Sequence, residues 1–275
     1  DYYLSQGVDK IFVIDDNSND KSIYNNIDDN RVEIIYEKNI FPNGSTKGQM
    51  DKVNKYYTEL KHKFKWMISV DVDEFITTKK NITNTIKDEL NTTFKDVDCI
   101  KIPWVMMSCN NRDKNPKSIL LENTFRWNHN EKHPHEMYKF RCRYNLIEVK
   151  CIFKTDKFDK IELHHPNETV GDCIIVDSIK KKKQGLNTFY NNLRENDIKN
   201  GYLLCYHFRI ISRENCVNKL NKAQYTKYKL EDLMRSDHPE IIDETLKNKT
   251  SKKIFIIGFN KCGTRTLHYF FKDNN

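Results

Sequence analysis

An apolar run, Trp66-Met67-Ile68-Ser69-Val70, ends abruptly in Asp71-Val72-Asp73-Glu74-Phe75, and this junction constrains the fold more than any other stretch of the chain. Val70 and Val72 interleave with Asp71 and Asp73, so the acids are not a solvated charge run. The pattern predicts a buried strand over residues 66–72 that delivers two carboxylates to its carboxyl edge, with Asp71 and Asp73 on one face and Val72 packed. Open α/β sheets place their ligands at that edge. Two hard oxygen donors one residue apart suit Mg²⁺ or Mn²⁺ shared with a diphosphate. The alternative is a solvated strand end, but three acids crowded behind a buried strand repel one another without a cation.

The flanking sequence predicts alternating elements. Residues 10–15 are a short apolar run closed by a turn-and-cap cluster, Asp15-Asp16-Asn17-Ser18-Asn19-Asp20. A strand over 32–36 and a helix over 49–64, with Val53, Tyr56, Tyr57, Leu60 and Phe64 at helical spacing, precede the acidic run. A helix near 83–94, a strand over 98–106, an irregular segment over 108–145 and β-like runs over 147–153, 161–165, 173–176 and 203–208 follow, then a helix over 213–230. Strands and helices in alternation predict an α/β fold with a parallel, doubly wound sheet. The expected division is a first domain over 1–230, a charged connector over 231–252, and a second α/β domain that starts at 253. The chain opens without Met inside a helix-like stretch and stops just after a helix start, so both ends are expected to be cut.

With 37% hydrophobic and 12% aromatic residues, the 275-residue chain can build a core. No apolar run of about eighteen residues marks a membrane span, and neither an anchor nor a signal peptide is visible. The net charge of +8 favours anionic ligands. No zinc finger, RNP motif or basic–aromatic stripe points to nucleic acid. None of the eight cysteines forms a CxxC pair, which argues against structural zinc. Cysteines in apolar runs lean towards a cytoplasmic, reducing compartment; a Golgi lumen is the alternative if an anchor lies upstream.

Several of these segments together resemble the GT-A superfamily of glycosyltransferases, in particular the family 92 and family 2-like group. Carrying the resemblance are Leu4 to Asp20, Gly48-Gln49 at a helix start, Trp66 with Asp71-Val72-Asp73-Glu74-Phe75, Ile102-Pro103-Trp104, Leu121-Glu122 to Arg126, Lys150 to Lys154, His164-His165-Pro166, and Tyr206-His207-Phe208-Arg209 with Ser212. The resemblance implies a GT-A-like mixed sheet, a nucleotide-diphospho-sugar donor such as a UDP-sugar, Mn²⁺ or Mg²⁺, and a glycan acceptor. Asp71 and Asp73 would bridge metal and diphosphate, and His207 would add a late imidazole ligand, with His164 and His165 as alternates. Asp15, Asp16 and Gln49 would serve the nucleotide sugar. An inverting transfer needs a base; Glu122 is the candidate, with Asp113 and Glu136 as rivals, and His133 and His135 would lie on the acceptor side.

At residue 253 the pattern restarts. A strand leads into Gly258-Phe259-Asn260-Lys261-Cys262-Gly263-Thr264-Arg265-Thr266, a phosphate-cradling loop at a helix start. It lacks the Lys-Ser/Thr of an ATPase P-loop. It resembles the phosphosulfate loop of PAPS-dependent sulfotransferases, which implies PAPS contacts by Lys261, Gly263, Thr264, Arg265 and Thr266. The expectation is a glycosyltransferase joined to the start of a sulfotransferase. The rivals are a sulfotransferase with a non-catalytic glycan-binding scaffold, and a binding module without enzymatic activity.

Overall fold

A computed structural model describes residues 1–250, apart from 17, 19, 38–45, 131–141, 144–145, 187–188, 192, 222–228, 231–232 and 234–240. The loop of Lys261 and Gly263 to Thr266, and with it the expected start of a second domain, lies outside the described residues, as do Glu136, His133 and His135.

Fourteen strands are present among the described residues: β1 (Ile11–Asp16), β2 (Val32–Glu37), β3 (Trp66–Met67), β4 (Glu74–Thr78), β5 (Cys99–Ser108), β6 (Phe125–Arg126), β7 (Cys142–Arg143), β8 (Leu146–Lys154), β9 (Phe158–Ile161), β10 (Pro166–Thr169), β11 (Ile175–Asp177), β12 (Phe189–Asn191), β13 (Leu203–His207) and β14 (Ile241–Ile242). The parallel β1–β2 pair and the antiparallel β9–β10 hairpin stand apart from a ten-stranded sheet whose spine is β12-β8-β5-β13-β4. That sheet is mixed. β13 and β11 run parallel to β5, whereas β8 pairs antiparallel with β5, β3, β7 and β12, and β4 antiparallel with β13. A wholly parallel sheet is therefore not what forms, because β8 returns antiparallel on one side of β5 and β4 lies antiparallel to β13.

β5 is the core strand, and all ten of its residues are buried. Its near-continuous apolar sequence is what a strand covered on both faces requires. Pro103 is its last partner on β8, and pairing with β13 begins at Trp104, so the missing N–H falls where β5 changes neighbours. The main cluster gathers Ile100, Ile102, Val105, Ile147, Val149, Leu204, Tyr206 and Phe208 around it.

Among the described residues strand β4 pairs only with β13, and the first helix, Tyr2–Ser5, covers its other side. The Tyr3 hydroxyl donates to the Glu74 carbonyl at 2.8 Å and accepts from the Ile76 N–H at 3.0 Å, while Tyr2 donates to the Ile76 carbonyl. Two phenols thus stand in for a missing strand. Gly7 lets the chain leave this helix: its φ is +82°, and a Cβ there would lie 2.6 Å from the Lys87 Cβ.

Two expectations change here. The strand predicted over 66–72 contains only Trp66–Met67, and Asp71–Asp73 form a turn before β4; Val72, expected to pack, is 93% exposed. The charged connector is in part folded, since β14 pairs with β6 and the helix Thr245–Thr250 buries Thr245, Leu246 and Lys249. Local charge hid this, because its cations and acids are neutralised by distant partners: Lys249 reaches the Asn84 carbonyl at 2.6 Å, and Asp243 pairs with Arg126 and Lys79.

Among the buried groups, His129 is one that makes stability acid-sensitive. It is 3% exposed, its Nε2 has no hydrogen-bond partner, and burial lowers its pKa to about 4, with nearby Arg126 adding to the effect. An unfolded imidazole titrates near 6.5. Between those values the unfolded state binds the proton and the folded state does not, so stability falls as pH drops from 6.5 towards 4. The expected loss is about 2 kcal/mol by pH 5. His129→Leu should flatten that limb of a urea-unfolding profile taken against pH.

Candidate active site

The strand registers assemble the site. Glu74 on β4 faces His207 on β13, Cys205 faces Trp104 on β5, and Ile102 faces Lys150 on β8. Since alternate residues share a face, Glu74, His207, Cys205, Trp104, Ile102 and Lys150 lie on one side of the sheet. The acidic turn enters β4 at the edge of that face.

Asp71 is exposed. Its backbone N–H donates to Glu74 Oε2 at 2.9 Å, and its Oδ2 lies 3.4 Å from Lys150 Nζ. Asp73 is held to the end of β13: its carbonyl accepts from the Phe208 N–H at 2.8 Å, and its carboxylate lies 3.6 Å from His207 Nε2 and 4.0 Å from Lys219 Nζ. Lys219 comes from the helix Arg213–Leu220, whose Ser212 cap accepts from the Asn215 N–H at 2.9 Å.

Burial raises the pKa of Asp73, with Lys219 opposing and Asp71 adding to the rise. Burial also pushes Glu74 up to about 7, with Lys150 opposing. Lys150 is raised: burial disfavours its ammonium, but Glu74 and then Asp71 more than offset this, so the cation is the firmly charged member of the cluster. His207 is lowered well below its usual value by burial, then by Arg209 and Lys219, and stays a neutral imidazole packed 4.3 Å from the Trp104 ring. His164 is lowered to about 4 by burial, then by Lys150. Its Nδ1 lies 3.0 Å from the Val149 carbonyl, which can only accept, so Nε2 is the unprotonated nitrogen.

Asp73 and His207 are therefore brought together, whereas Asp71, two residues before Asp73, contacts Glu74 and Lys150. Among the described residues no group of three or more His, Cys, Asp or Glu is placed to hold a metal ion. The donor types nevertheless fit a hard divalent ion: an exposed carboxylate, a second carboxylate that burial disfavours until a cation arrives, and a neutral imidazole whose Nδ1 is buried without a partner.

Other candidates sit elsewhere. Asp15 accepts from the Ser18 N–H at 2.7 Å and the Tyr24 hydroxyl at 2.6 Å, and these bonds, Tyr24 foremost, hold its carboxyl below the usual range. That is the turn-forming role of such a cluster. Asp16 pairs through its backbone with Glu37, and its side chain lies outside the described residues. Gln49 is half-buried on the helix Thr46–Leu60. Among the described residues no hydrogen bond or ion pair links Asp15 or Gln49 to the acidic turn. Glu122 has both oxygens engaged, by the Ser118 N–H at 3.0 Å and by Arg112 Nη1 at 2.9 Å, and the Ser118 bond foremost lowers its pKa. A carboxylate so held is a weak proton acceptor. His165 turns its Nδ1 to the Pro166 carbonyl at 2.8 Å. Cys99, Cys151, Cys173 and Cys205 are reduced thiols.

Lys150 and Glu74 contact Asp71 without having been expected as site residues, although Glu74 lies in the acidic stretch and Lys150 in a segment that carries the resemblance. The available signal is a lysine inside the apolar run 146–153, a position that a solvated lysine would not occupy.

Comparison with family models identifies the class: over residues 1–249 the chain matches a glycosyltransferase. The family is glycosyltransferase family 92, and the chain belongs to it. Comparison with curated proteins finds no match. Residues 250–275, which include the phosphosulfate-like loop, lie beyond the family match.

Proposed function

We propose that the chain transfers a sugar from a nucleotide-diphospho-sugar, a UDP-sugar in the simplest case, to a hydroxyl of a glycan acceptor. The observation that carries this reading is the meeting of Asp73 with His207, beside Asp71, at one sheet edge in a family 92 chain. Asp71, Asp73 and His207 would hold Mn²⁺ or Mg²⁺. When bound, that ion neutralises charge on the departing diphosphate.

In the reaction the acceptor oxygen bonds to the anomeric carbon, the bond from that carbon to the diphosphate breaks, and the hydroxyl proton passes to a base. Glu122 remains the proposed base in name only, since its oxygens are already committed. Lys150 and Lys219 keep the acidic edge from accumulating unbalanced charge while it waits for its ligand. Asp15, Asp16 and Gln49 are proposed to bind the nucleoside portion, on the family resemblance alone. The loop of Lys261 and Gly263 to Thr266 is proposed to bind PAPS as the opening of a sulfotransferase, a proposal that rests on its sequence alone.

Calorimetric titration of UDP with and without Mn²⁺ tests the reading. Saturable binding that requires the ion is expected; no binding under either condition overturns it.

A further inference from the structure

Glu74 and Lys150 form an ion pair directly behind the acidic turn. The two approach to 3.2 Å, and their side chains are 0% and 2% exposed, whereas that of Asp71 is 50% exposed. Burying such a pair costs desolvation that apolar residues of similar volume would avoid, so stability alone does not account for it. Both members instead converge on Asp71. Glu74 Oε2 takes the Asp71 N–H at 2.9 Å, and Lys150 Nζ, anchored on the Leu163 carbonyl at 3.2 Å, lies 3.4 Å from Asp71 Oδ2. Asp71 is thereby held through its main chain and one carboxylate oxygen, and among the described residues no hydrogen bond engages Oδ1.

We propose that Glu74 and Lys150 are positioning residues that preset the Asp71 carboxylate, so that the cation of a metal–nucleoside diphosphate meets Oδ1 already oriented. The inference rests on the nucleotide-sugar reading above. Groups that orient a metal ligand typically account for 10- to 100-fold in metal affinity.

The test is a double-mutant cycle read as the Kd of UDP at saturating Mn²⁺, with melting curves to establish folding. E74Q/K150M removes the pair without leaving one buried charge alone, and is expected to weaken binding about 10-fold or more. Asp71→Asn weakens binding as well. The triple variant D71N/E74Q/K150M should bind no more weakly than D71N, because a positioning effect vanishes once its target is gone. Losses that add, or wild-type affinity in E74Q/K150M, overturn the inference while leaving the nucleotide-sugar reading intact. Should E74Q/K150M fail to fold, Lys150→Arg keeps the charge but replaces a point contact by a planar fork. It is expected to weaken UDP binding several-fold, and unchanged affinity overturns the inference. A wild-type protein that binds no UDP with Mn²⁺ removes both readings together.

Discussion

Asp73→Asn is expected to lower turnover by about 10²- to 10³-fold, the usual cost of removing one preorganised electrostatic contact in an enzyme site. The substitution is nearly isosteric. The main-chain bond from Phe208 N–H to the Asp73 carbonyl does not depend on the side chain, so the turn keeps its anchor on β13. The lost feature is a negative charge that the protein itself disfavours: burial raises the Asp73 pKa, and the Asp71 carboxylate adds to the rise. A charge kept against its own environment signals function rather than stability. Asp73→Asn should therefore melt at or slightly above the wild-type temperature while losing Mn²⁺-dependent UDP binding. A variant that keeps wild-type turnover and UDP affinity would remove Asp73 from the metal and diphosphate. A variant that loses both only because it unfolds early would show this in its melting curve.

The largest stability effect is expected at Arg126, some distance along the sheet from the acidic turn. Its guanidinium is 7% exposed and grips Glu195 with two bonds of 2.8 and 2.7 Å, while its Nε donates to Asp243 Oδ2 at 2.8 Å. Asp243 also accepts from Lys79, from the Tyr206 hydroxyl at 3.0 Å and from Thr245. Burial would push its pKa up, but Lys79, Thr245 and Arg126 bring it to about 2. Through this cluster the segment 241–250 is bound to β6, to β13 and to Lys79 just beyond β4. Arg126→Met leaves Asp243 and Glu195 without their shared cation, a loss of roughly 3–5 kcal/mol. In a domain of this size that is on the order of 10 °C in melting midpoint. Urea unfolding should show the drop with an unchanged slope. A change under about 1 kcal/mol would mean that Lys79 alone suffices for Asp243, and that the bidentate pair with Glu195 contributes no more than a surface bridge.

Acidification acts on the same cluster. Because the folded pKa of Asp243 lies below the unfolded carboxylate value near 3.9, its contribution is fully present above that value and is lost as pH falls towards 2.

Local patterning carried much of the fold into view. The strand over 32–36, the core strand over 98–106, the run over 147–153 and the last strand over 203–208 all appear within a residue or two of their expected bounds. Each is a short apolar run bounded by polar residues, which few structures other than a buried strand can accommodate. Helices were less legible. The segment near 83–94 forms a helix only over Ile86–Asn91, set by the Thr85–Asp88 capping box and ended by side-chain competition at Thr92. The acidic stretch was misjudged in conformation, though not in position. Residues 68–70 read as strand because they are apolar, but they are only partly buried and have no ladder partner, so the chain turns before β4 instead of after β3.

What the sequence determined by itself was chemistry: an acidic pair beside apolar strands, a late histidine after a buried run, and through their order the family. Only the tertiary structure decided which of these groups meet. Lys150 comes 79 residues after Asp71, and nothing local to either predicts the contact. The contact follows from the registers of β8, β5, β13 and β4, which put Lys150, Trp104, His207 and Glu74 on one face. A register is a property of paired strands, fixed by the collective burial of one side of the sheet. The same collective burial makes His207 neutral and Asp73 reluctant to ionise, neither of which is legible from the residues alone.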